Sequence, residues 1–541
     1  MVKIYIISLL LPTLLLFSCK ESGNASEPGK ESPIDQKTIA RDRSIDQRNA
    51  FNDIFLDSVV VEQFIASEKL NDTMSAAIRG FYNARNFEFA WFSSDGLIEQ
   101  AFSFRSLYSS ENDADAFNKS LEHRFDRLRA EKDKTVDPKD PAVVKTELQI
   151  TQRFISYALK NYTKTGISEA ALGTYIPAKR KDIIALADSV LANNTVNTTF
   201  AALNESYRLL KVPLQQYRTI AKNGGWQVIT ASKGKYSIGS SELAIMLVKK
   251  RLQSTGELAG SDTTQLFDAQ LERAVKTYQL SHGYKATGII TKDLVNDLNI
   301  SALARTQQLL INMQRMRWLP TQPEGVLIVV NIPEFEVYVD SGRDIVFQMN
   351  VVVGREGHNT TMFSGNLSQV VFSPYWNIPP SIVKKEVIPG LRRDKNYLKK
   401  RNMEITGKGG FPSVRQRPGE RNALGKVKFL FPNSFNIYMH DTPEKGFFDR
   451  SERDLSHGCI RLSDATKMAN YLLRNSSDWS PEKIRIAMNS GKEQFVKLKS
   501  PVPVIITYYT AWVDKKGGVH FADDIYSHDK EMAKKMFANP Q

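Results

Sequence analysis

The chain has 541 residues and a formal net charge of +14, from 73 Lys and Arg against 59 Asp and Glu, and 41% of it is hydrophobic. That apolar fraction, with aromatics at 10%, excludes a disordered or low-complexity chain, and the length suits two to four domains. The basic balance suits an anionic partner, but lysine-rich solvated surfaces are common, so charge alone selects no function.

Residues 1–19, MVKIYIISLLLPTLLLFSC, place Lys3 ahead of an apolar run over 4–17. The run is short of the roughly 20 residues a membrane-spanning helix needs, and the layout predicts a secretory signal. Its end, Leu16-Phe17-Ser18-Cys19, resembles the lipobox of bacterial lipoproteins. The resemblance implies an acylated Cys19, a lipid anchor and a place in the cell envelope, facing the periplasm from the outer membrane. A plain cleaved signal is the alternative. For an exported chain the anionic partner is cell wall or lipid head groups rather than nucleic acid. Residues 20–45, rich in Ser, Gly, Pro and charge, read as a flexible tether.

Residues 46–230 predict a mainly helical scaffold domain. ELQITQRFISYALKNY sets Leu148, Phe154, Ile155 and Leu159 at helical spacing, and FYNARNFEFAWFSSDGL is dense in aromatics and ends in an Asp95-Gly96 turn. No nucleophile, base or metal ligand clusters there. Residues 235–300 form a compact unit, in which Leu271, Ala274, Val275 and Tyr278 share a helical face and the helix stops at His282-Gly283. Thr291 is the expected N-cap of a second helix carrying Leu294 and Leu298. AVKTYQLSHGYKATGIITKDLVNDLN is similar to the small three-helix peptidoglycan-binding module of wall hydrolases. His282 is read as packing or capping.

After residue 320 the period changes to that of strands. In GVLIVVNIPEFEVYVD, Phe335, Val337 and Val339 alternate with Glu334, Glu336 and Tyr338, with a turn at Ser341-Gly342. DIVFQMNVVVG, QVVFSPYWNIP, VKFLFP and NIYMHD are further strands. Residues 381–425 interrupt them with two short helices and a Gly/Pro/Arg-rich loop, expected to be a mobile cap rather than a linker. DATKMANYLLRN predicts a helix with Met468, Tyr471 and Leu472 inward. Residues 496–541 read as a C-terminal hairpin about Lys515–Gly518 plus a tail.

Only two cysteines occur, Cys19 and Cys459. If Cys19 is acylated, Cys459 has no disulfide partner, and an exported protein that keeps such a thiol keeps a hazard or a tool. In DLSHGCIRL, His457 stands two before the thiol and Arg461 two after. In an extended segment His457 and Cys459 share a face. A nearby imidazole takes the thiol proton or, once charged, stabilises the thiolate. Gly458 allows a backbone N–H to approach a substrate, and Arg461 offers a fixed charge to an oxyanion or carboxylate. His440, 19 positions upstream, ends a strand and can be brought against Cys459 by the intervening loop.

His440, 18 residues, then Cys-Ile-Arg preceded by Ser456-His457-Gly458 resembles the signature of the YkuD-type L,D-transpeptidases, cysteine enzymes that cross-link peptidoglycan. INMQRMRWLP, VVNIPEFEVYV, MNVVVGREGHNTTMF, YWNIPPSI, RQRPGERNALGKVKFLFPN and YYTAWVDKKGGVHF extend the likeness to the large multidomain YcbB-like subgroup. The resemblance implies Cys459 as nucleophile and His440 as general base. It further implies His457 and Gly458 lining the thiol and its oxyanion hole, and Arg461 holding the donor stem peptide. Asp441 occupies the orienting position, where backbone or side chain could act, and Tyr438 and Trp376 are candidate substrate walls. The fold expected is multidomain α+β. A β-rich catalytic domain over 320–495, with its cap, follows the helical scaffold and the binding module. No cofactor is implied. The partners are stem peptides and glycan strands. An L,D-carboxypeptidase or protein-to-wall ligase is the alternative within the family. Outside it stand a zinc hydrolase using His440, His457 and Cys459, although no recognised zinc spacing is present, and a non-catalytic wall-binding lipoprotein.

Overall fold

The computed structural model describes residues 39–109, 116–130, 135–162, 175–192, 205–318, 325–342, 344–407 and 411–541. The leader, Cys19 and the tether up to residue 38 lie outside them. The expected tether ends earlier than 45. Ile45 is buried, and Asn83 Nδ2 donates to the Ile39 carbonyl (3.0 Å), because residues 39–45 already pack on the first helices.

The N-terminal region is helical, as its periodicity predicts. Helices α1 (Ser58–Ser67) and α2 (Asp72–Asn83) begin at Asp57 and Asn71, whose side chains accept from Val59 N and Met74 N. Helices α3 (Glu99–Ser109), α4 (Ala116–Ala130) and α5 (Pro141–Tyr162) enclose an aromatic core. Trp91 lies at its centre, against Phe104, Phe154 and Trp318 at 5.4, 5.5 and 6.3 Å between ring centroids. The turn that bears Trp91 has its backbone donors satisfied by one buried carboxylate. Glu147 accepts from Ala90 N (2.7 Å), Trp91 N (3.0 Å) and Tyr82 Oη (2.9 Å). Burial raises its pKa to about 7 against those three donors. The region continues with α6 (Ile183–Ala192) and α7 (Lys211–Lys222).

The binding-module segment folds as α8 (Leu243–Thr255), α9 (Ala269–Ser281) and α10 (Lys292–Leu298) around Leu252, Leu271, Val275 and Tyr278. Thr291 caps α10 through Leu294 N. His282 is the C-cap of α9. Its ring stacks on Tyr278 at 3.7 Å, and burial depresses its pKa to about 3, so it packs as a neutral ring. Helix α11 (Ala302–Met316), not among the expected helices although its last residues fall in INMQRMRWLP, follows and is buried along most of its length.

The remainder is built on a nine-stranded sheet: β1 (Leu327–Asn331), β2 (Glu336–Asp340), β3 (Ile345–Gly354), β4 (Phe363–Phe372), β5 (Val427–Leu430), β6 (Met439–His440), β7 (Asp454–Ser456), β8 (Ile460–Leu462) and β9 (Gln494–Thr507). The spatial order is β7-β3-β8-β6-β5-β4-β9-β1-β2, and β2 also pairs with β3, so the sheet closes on itself. Inside it pack Val330, Val337, Val351, Val370, Phe429 and Ile460; Met468 and Ile484, from α12 (Ala465–Leu473) and α13 (Pro481–Asn489), join the same core. The cap has a core of its own, Ile378, Val383, Val387 and Val414, and a three-stranded sheet of 376–377, 414–416 and 403–405. Part of the expected irregular loop is therefore β structure.

The boundary expected at 496 falls inside β9, whose residues 494–506 pair with β4 and 504–507 with β1. Pro501 falls in the register shift between Lys497 and Val502, where the ladder is interrupted, and Pro503 pairs with Asn366 just beyond it. The hairpin itself is β10 (Ala511–Val513) and β11 (Val519–Phe521), followed by α14 (His528–Met536). These last elements share a core with α6, α7 and α11, and Arg315 of α11 joins Glu99 and Asp529. The tail is thus a clasp between the helical region and the sheet.

Glu147→Ala leaves the buried Ala90 and Trp91 N–H groups without an acceptor, at roughly 1–3 kcal/mol each, while Tyr82 Oη keeps Thr151 Oγ1 as a partner (2.7 Å). The expected outcome is a loss on the order of 3 kcal/mol or more, read as a lower denaturant midpoint of the helical region. Glu147→Gln, which keeps one acceptor oxygen, is expected to lose less. An unchanged midpoint for the alanine variant contradicts this role.

Candidate active site

Strands β6 and β8 run parallel, with Met439 paired to Ile460 and His440 to Arg461. The same register sets Tyr438 beside Cys459, and Ile460 N donates to the Tyr438 carbonyl (3.1 Å). Paired residues in a sheet share a face, so Tyr438, His440, Cys459 and Arg461 converge on one side while Met439 and Ile460 enter the core. His440 and Cys459 stand diagonally, two positions out of register, a separation of about 7–8 Å between backbones.

His440 is 4% exposed, and its Nδ1 lies 2.5 Å from the Asp441 carbonyl. A carbonyl only accepts, so the proton sits on Nδ1 and Nε2 carries the free lone pair. The orienting group is thus the backbone of Asp441. Its carboxylate is engaged elsewhere, accepting from Lys426 N (2.9 Å) and Lys445 Nζ (2.8 Å). A Cβ at Gly425, where φ is +61°, would overlap that carboxylate. Burial first, then the Arg461 charge, depresses the His440 pKa to about 4.

Cys459 is a free, half-buried thiol whose Sγ donates to the Asn436 carbonyl (3.7 Å). Burial raises its pKa, opposed by hydrogen bonds from the Tyr438 backbone and hydroxyl and by the Arg461 charge. Tyr438 is correspondingly held protonated. No His440–Cys459 hydrogen bond forms among the described residues, a separation common before substrate closes a site. The resting pair is neutral imidazole and neutral thiol. Arg461 is ion-paired with Glu444 (2.9 Å) and lies over the Phe447 ring.

The segment 457–459 is a bend rather than an extended strand, and Gly458 has φ +109°. His457 therefore does not share a face with Cys459. It turns outward, with Arg355 Nη2 at 3.4 Å, the His358 ring at 5.1 Å and Glu386 of the cap at 4.0 Å. The Gly458 N–H is used inside the turn, donating to Ser456 Oγ (3.1 Å), which itself donates to the Cys459 carbonyl (2.7 Å). Among the described residues no hydrogen bond occupies the Cys459 N–H, so that amide, and not the glycine's, is the open backbone donor beside the thiol. Trp376 pairs with Gln416 and packs, partly buried, on the cap's core. Asn436, Thr360 and Tyr526 reach the site although none is among the expected site residues; Asn436 opens the strand NIYMHD and Thr360 lies within MNVVVGREGHNTTMF, whereas Tyr526 stands in no such stretch.

Among the described residues no group of three His, Cys, Asp or Glu side chains is arranged to hold a metal ion. His440 Nδ1 faces a carbonyl and His457 faces the cap, so these two and Cys459 do not form the zinc cluster considered from sequence. What the arrangement offers is a thiol, a neutral base and an open amide, the parts of an acyl-transfer centre.

Comparison with known proteins agrees. Residues 325–506 match the family model of the L,D-transpeptidase catalytic domain, 76–214 that of a scaffold domain, and 241–298 that described as "Putative peptidoglycan binding domain". A protein of Haemophilus influenzae described as "Putative L,D-transpeptidase" is 32% identical over 244 residues, which are 42% of this chain and 49% of that one. The match thus spans about half the length of that relative. An L,D-transpeptidase structure from Mycobacterium smegmatis is 15% identical over 34% of this chain and 58% of its own, with a TM-score of 0.19. L,D-transpeptidase 3 of Mycobacterium tuberculosis, in complex with a faropenem-derived adduct, is 16% identical over 35% of this chain and 62% of its own, at 0.18. Scores that low carry no weight on their own. The family matches do: residues 325–506 match an L,D-transpeptidase catalytic domain, and they are preceded by segments that match a scaffold domain and a putative peptidoglycan binding domain.

Because His440 is neutral above about pH 4 and burial raises the thiol pKa, no thiolate–imidazolium pair is stable at rest. The expected rate of iodoacetamide alkylation climbs continuously with pH and is still rising above the ordinary thiol value of about 8.5. Arg461→Gln removes a charge that favours the thiolate, and its profile is expected to move to higher pH. A plateau between pH 5 and 7 contradicts the neutral pair.

Proposed function

We propose that this chain is a cysteine acyltransferase that forms 3–3 cross-links in peptidoglycan, using tetrapeptide stems as donors. The observation that carries this reading is the convergence of His440, Cys459 and Arg461 on one face of two parallel strands, with the Cys459 amide open beside the thiol.

The chemistry balances without ATP. His440 Nε2 takes the Sγ proton as sulfur attacks the carbonyl carbon of the third stem residue. The negative charge that develops on oxygen is met by the Cys459 N–H, and the Arg461 charge favours it. Collapse breaks the amide bond, and the leaving amine of the terminal D-Ala takes the proton back from His440. A thioester remains. A side-chain amine of a neighbouring stem then attacks it, His440 removes that amine's proton, and the proton returns to sulfur as the new amide forms. A base neutral at working pH is what both proton transfers need. Water as the acceptor would give the carboxypeptidase outcome, and a protein amine the ligase outcome.

The peptidoglycan-binding domain supports glycan strands as partners by raising their local concentration. The leader and its lipobox-like end support a lipoprotein held in the cell envelope through Cys19, facing the periplasm, and membrane partition of the mature protein tests it.

Purified mature protein incubated with disaccharide tetrapeptide is expected to yield 3–3 cross-linked dimers and free D-Ala by mass spectrometry. Cys459→Ala is expected to fold and give none. His440→Ala is expected to fall by about 10²–10⁴-fold, and His457→Ala, whose ring lies off the thiol, by less. A carbapenem is expected to add its mass to the wild type and not to Cys459→Ala. Dimers formed by the alanine variant at the wild-type rate contradict the proposal, and tripeptide alone selects the carboxypeptidase reading.

A further inference from the structure

The Cys459 amide that would meet the oxyanion is one end of a peptide plane whose other end is the Gly458 carbonyl. In a planar trans peptide the C=O and N–H point in opposite directions. Whatever fixes the Gly458 carbonyl therefore aims the Cys459 N–H. That carbonyl accepts from Thr360 Oγ1 (2.9 Å), and Thr360 is 1% exposed. The same hydroxyl oxygen accepts from Gly354 N (2.9 Å), which leaves its single proton for Gly458.

Thr360 is itself held. Its backbone N–H donates to Tyr526 Oη (3.3 Å), and that hydroxyl donates to the Gly354 carbonyl. Tyr526 N in turn donates to Tyr508 Oη (2.8 Å), which donates to Asp524 (2.7 Å). The chain of bonds is buried and runs from the C-terminal clasp to the nucleophile's own peptide. There is no slack in it: a Cβ at Gly354 would overlap the His358 carbonyl and lie 3.0 Å from the Gly458 Cα.

The geometry points to Thr360 as a positioning residue for acyl transfer, holding the Gly458–Cys459 peptide so that the Cys459 N–H faces the developing oxyanion, with Tyr526 bracing Thr360 from the clasp. A hydrogen bond to the carbonyl also polarises the peptide and strengthens its N–H as a donor. The inference rests on the acyl-transfer reading above.

Two reactions of the same thiol separate this role from a structural one. Alkylation by iodoacetamide is a displacement at carbon that develops no oxyanion, whereas opening of a carbapenem ring does develop one. The expected result for Thr360→Val is alkylation at the wild-type rate and carbapenem acylation slower by about tenfold or more, a fraction of what losing an oxyanion donor outright costs. Thr360→Ser, which restores the hydroxyl, is expected to acylate near the wild-type rate, and Tyr526→Phe to fall between. Acylation by Thr360→Val at the wild-type rate overturns the inference. So does an equal loss in both reactions, or a serine variant as slow as the valine. A wild type that alkylates but is never acylated overturns the acyl-transfer reading and this inference together, and it is distinguishable because it appears before any substitution.

Discussion

The site depends on one parallel strand pair. With Met439 against Ile460 and His440 against Arg461, the base, the thiol, the tyrosine that bonds the sulfur and the arginine all fall on one face. A slip of one residue would send the polar set into the core and Met439 and Ile460 to the surface. The apolar side of the pair resists such a slip, since Met439 and Ile460 are fully buried. Packing thus fixes the catalytic register. Parallel neighbours need a connection longer than a tight turn, and residues 441–459 supply it, with the short helix Lys445–Asp449 and strand β7 on the way.

Burial has a second consequence, which is electrostatic. Taking a thiol and an imidazole out of water penalises the charged form of each, and nothing here repays both charges at once. The Arg461 guanidinium favours thiolate but disfavours imidazolium, so it cannot stabilise the ion pair. A neutral pair follows, with the proton crossing as the nucleophile attacks. The energetic demand then moves to the oxyanion, where an aimed and polarised amide has most effect. A hydrogen-bond chain reaching back to the C-terminal clasp is consistent with that demand.

Much of this was legible in the sequence, and for a definite reason. Cys459, His440 and Arg461 lie close together in the chain, and the strand patterns around 327–354 and 427–440 are short-range. Likewise Thr291 marks a helix start through a bond to the residue three positions on. What stayed hidden depends on distant partners. Thr360 meets Gly458 across 98 positions and Tyr526 meets Gly354 across 172. Thr360 lies in a stretch that carries the family likeness, but nothing there names its partner. Strand alternation through Gly458 predicts His457 on the thiol's face, and the positive φ of that glycine breaks the alternation. The boundary expected at 496 falls inside β9, whose pairing partners lie more than 120 positions away in the chain.

Helix α11 and the C-terminal clasp share a core with α6 and α7, while the sheet and the binding segment each keep a core of their own. Cross-linking, hydrolysis or ligation would all pass through the same thioester, which makes that intermediate the most direct object of test. Rapid quenching of the wild type with disaccharide tetrapeptide, followed by intact-protein mass spectrometry, should show a species heavier by the stem less its terminal D-Ala, carried on the peptide containing Cys459 and absent from Cys459→Ala. Product formed with no such species at any time, or the same adduct on the alanine variant, would contradict the account.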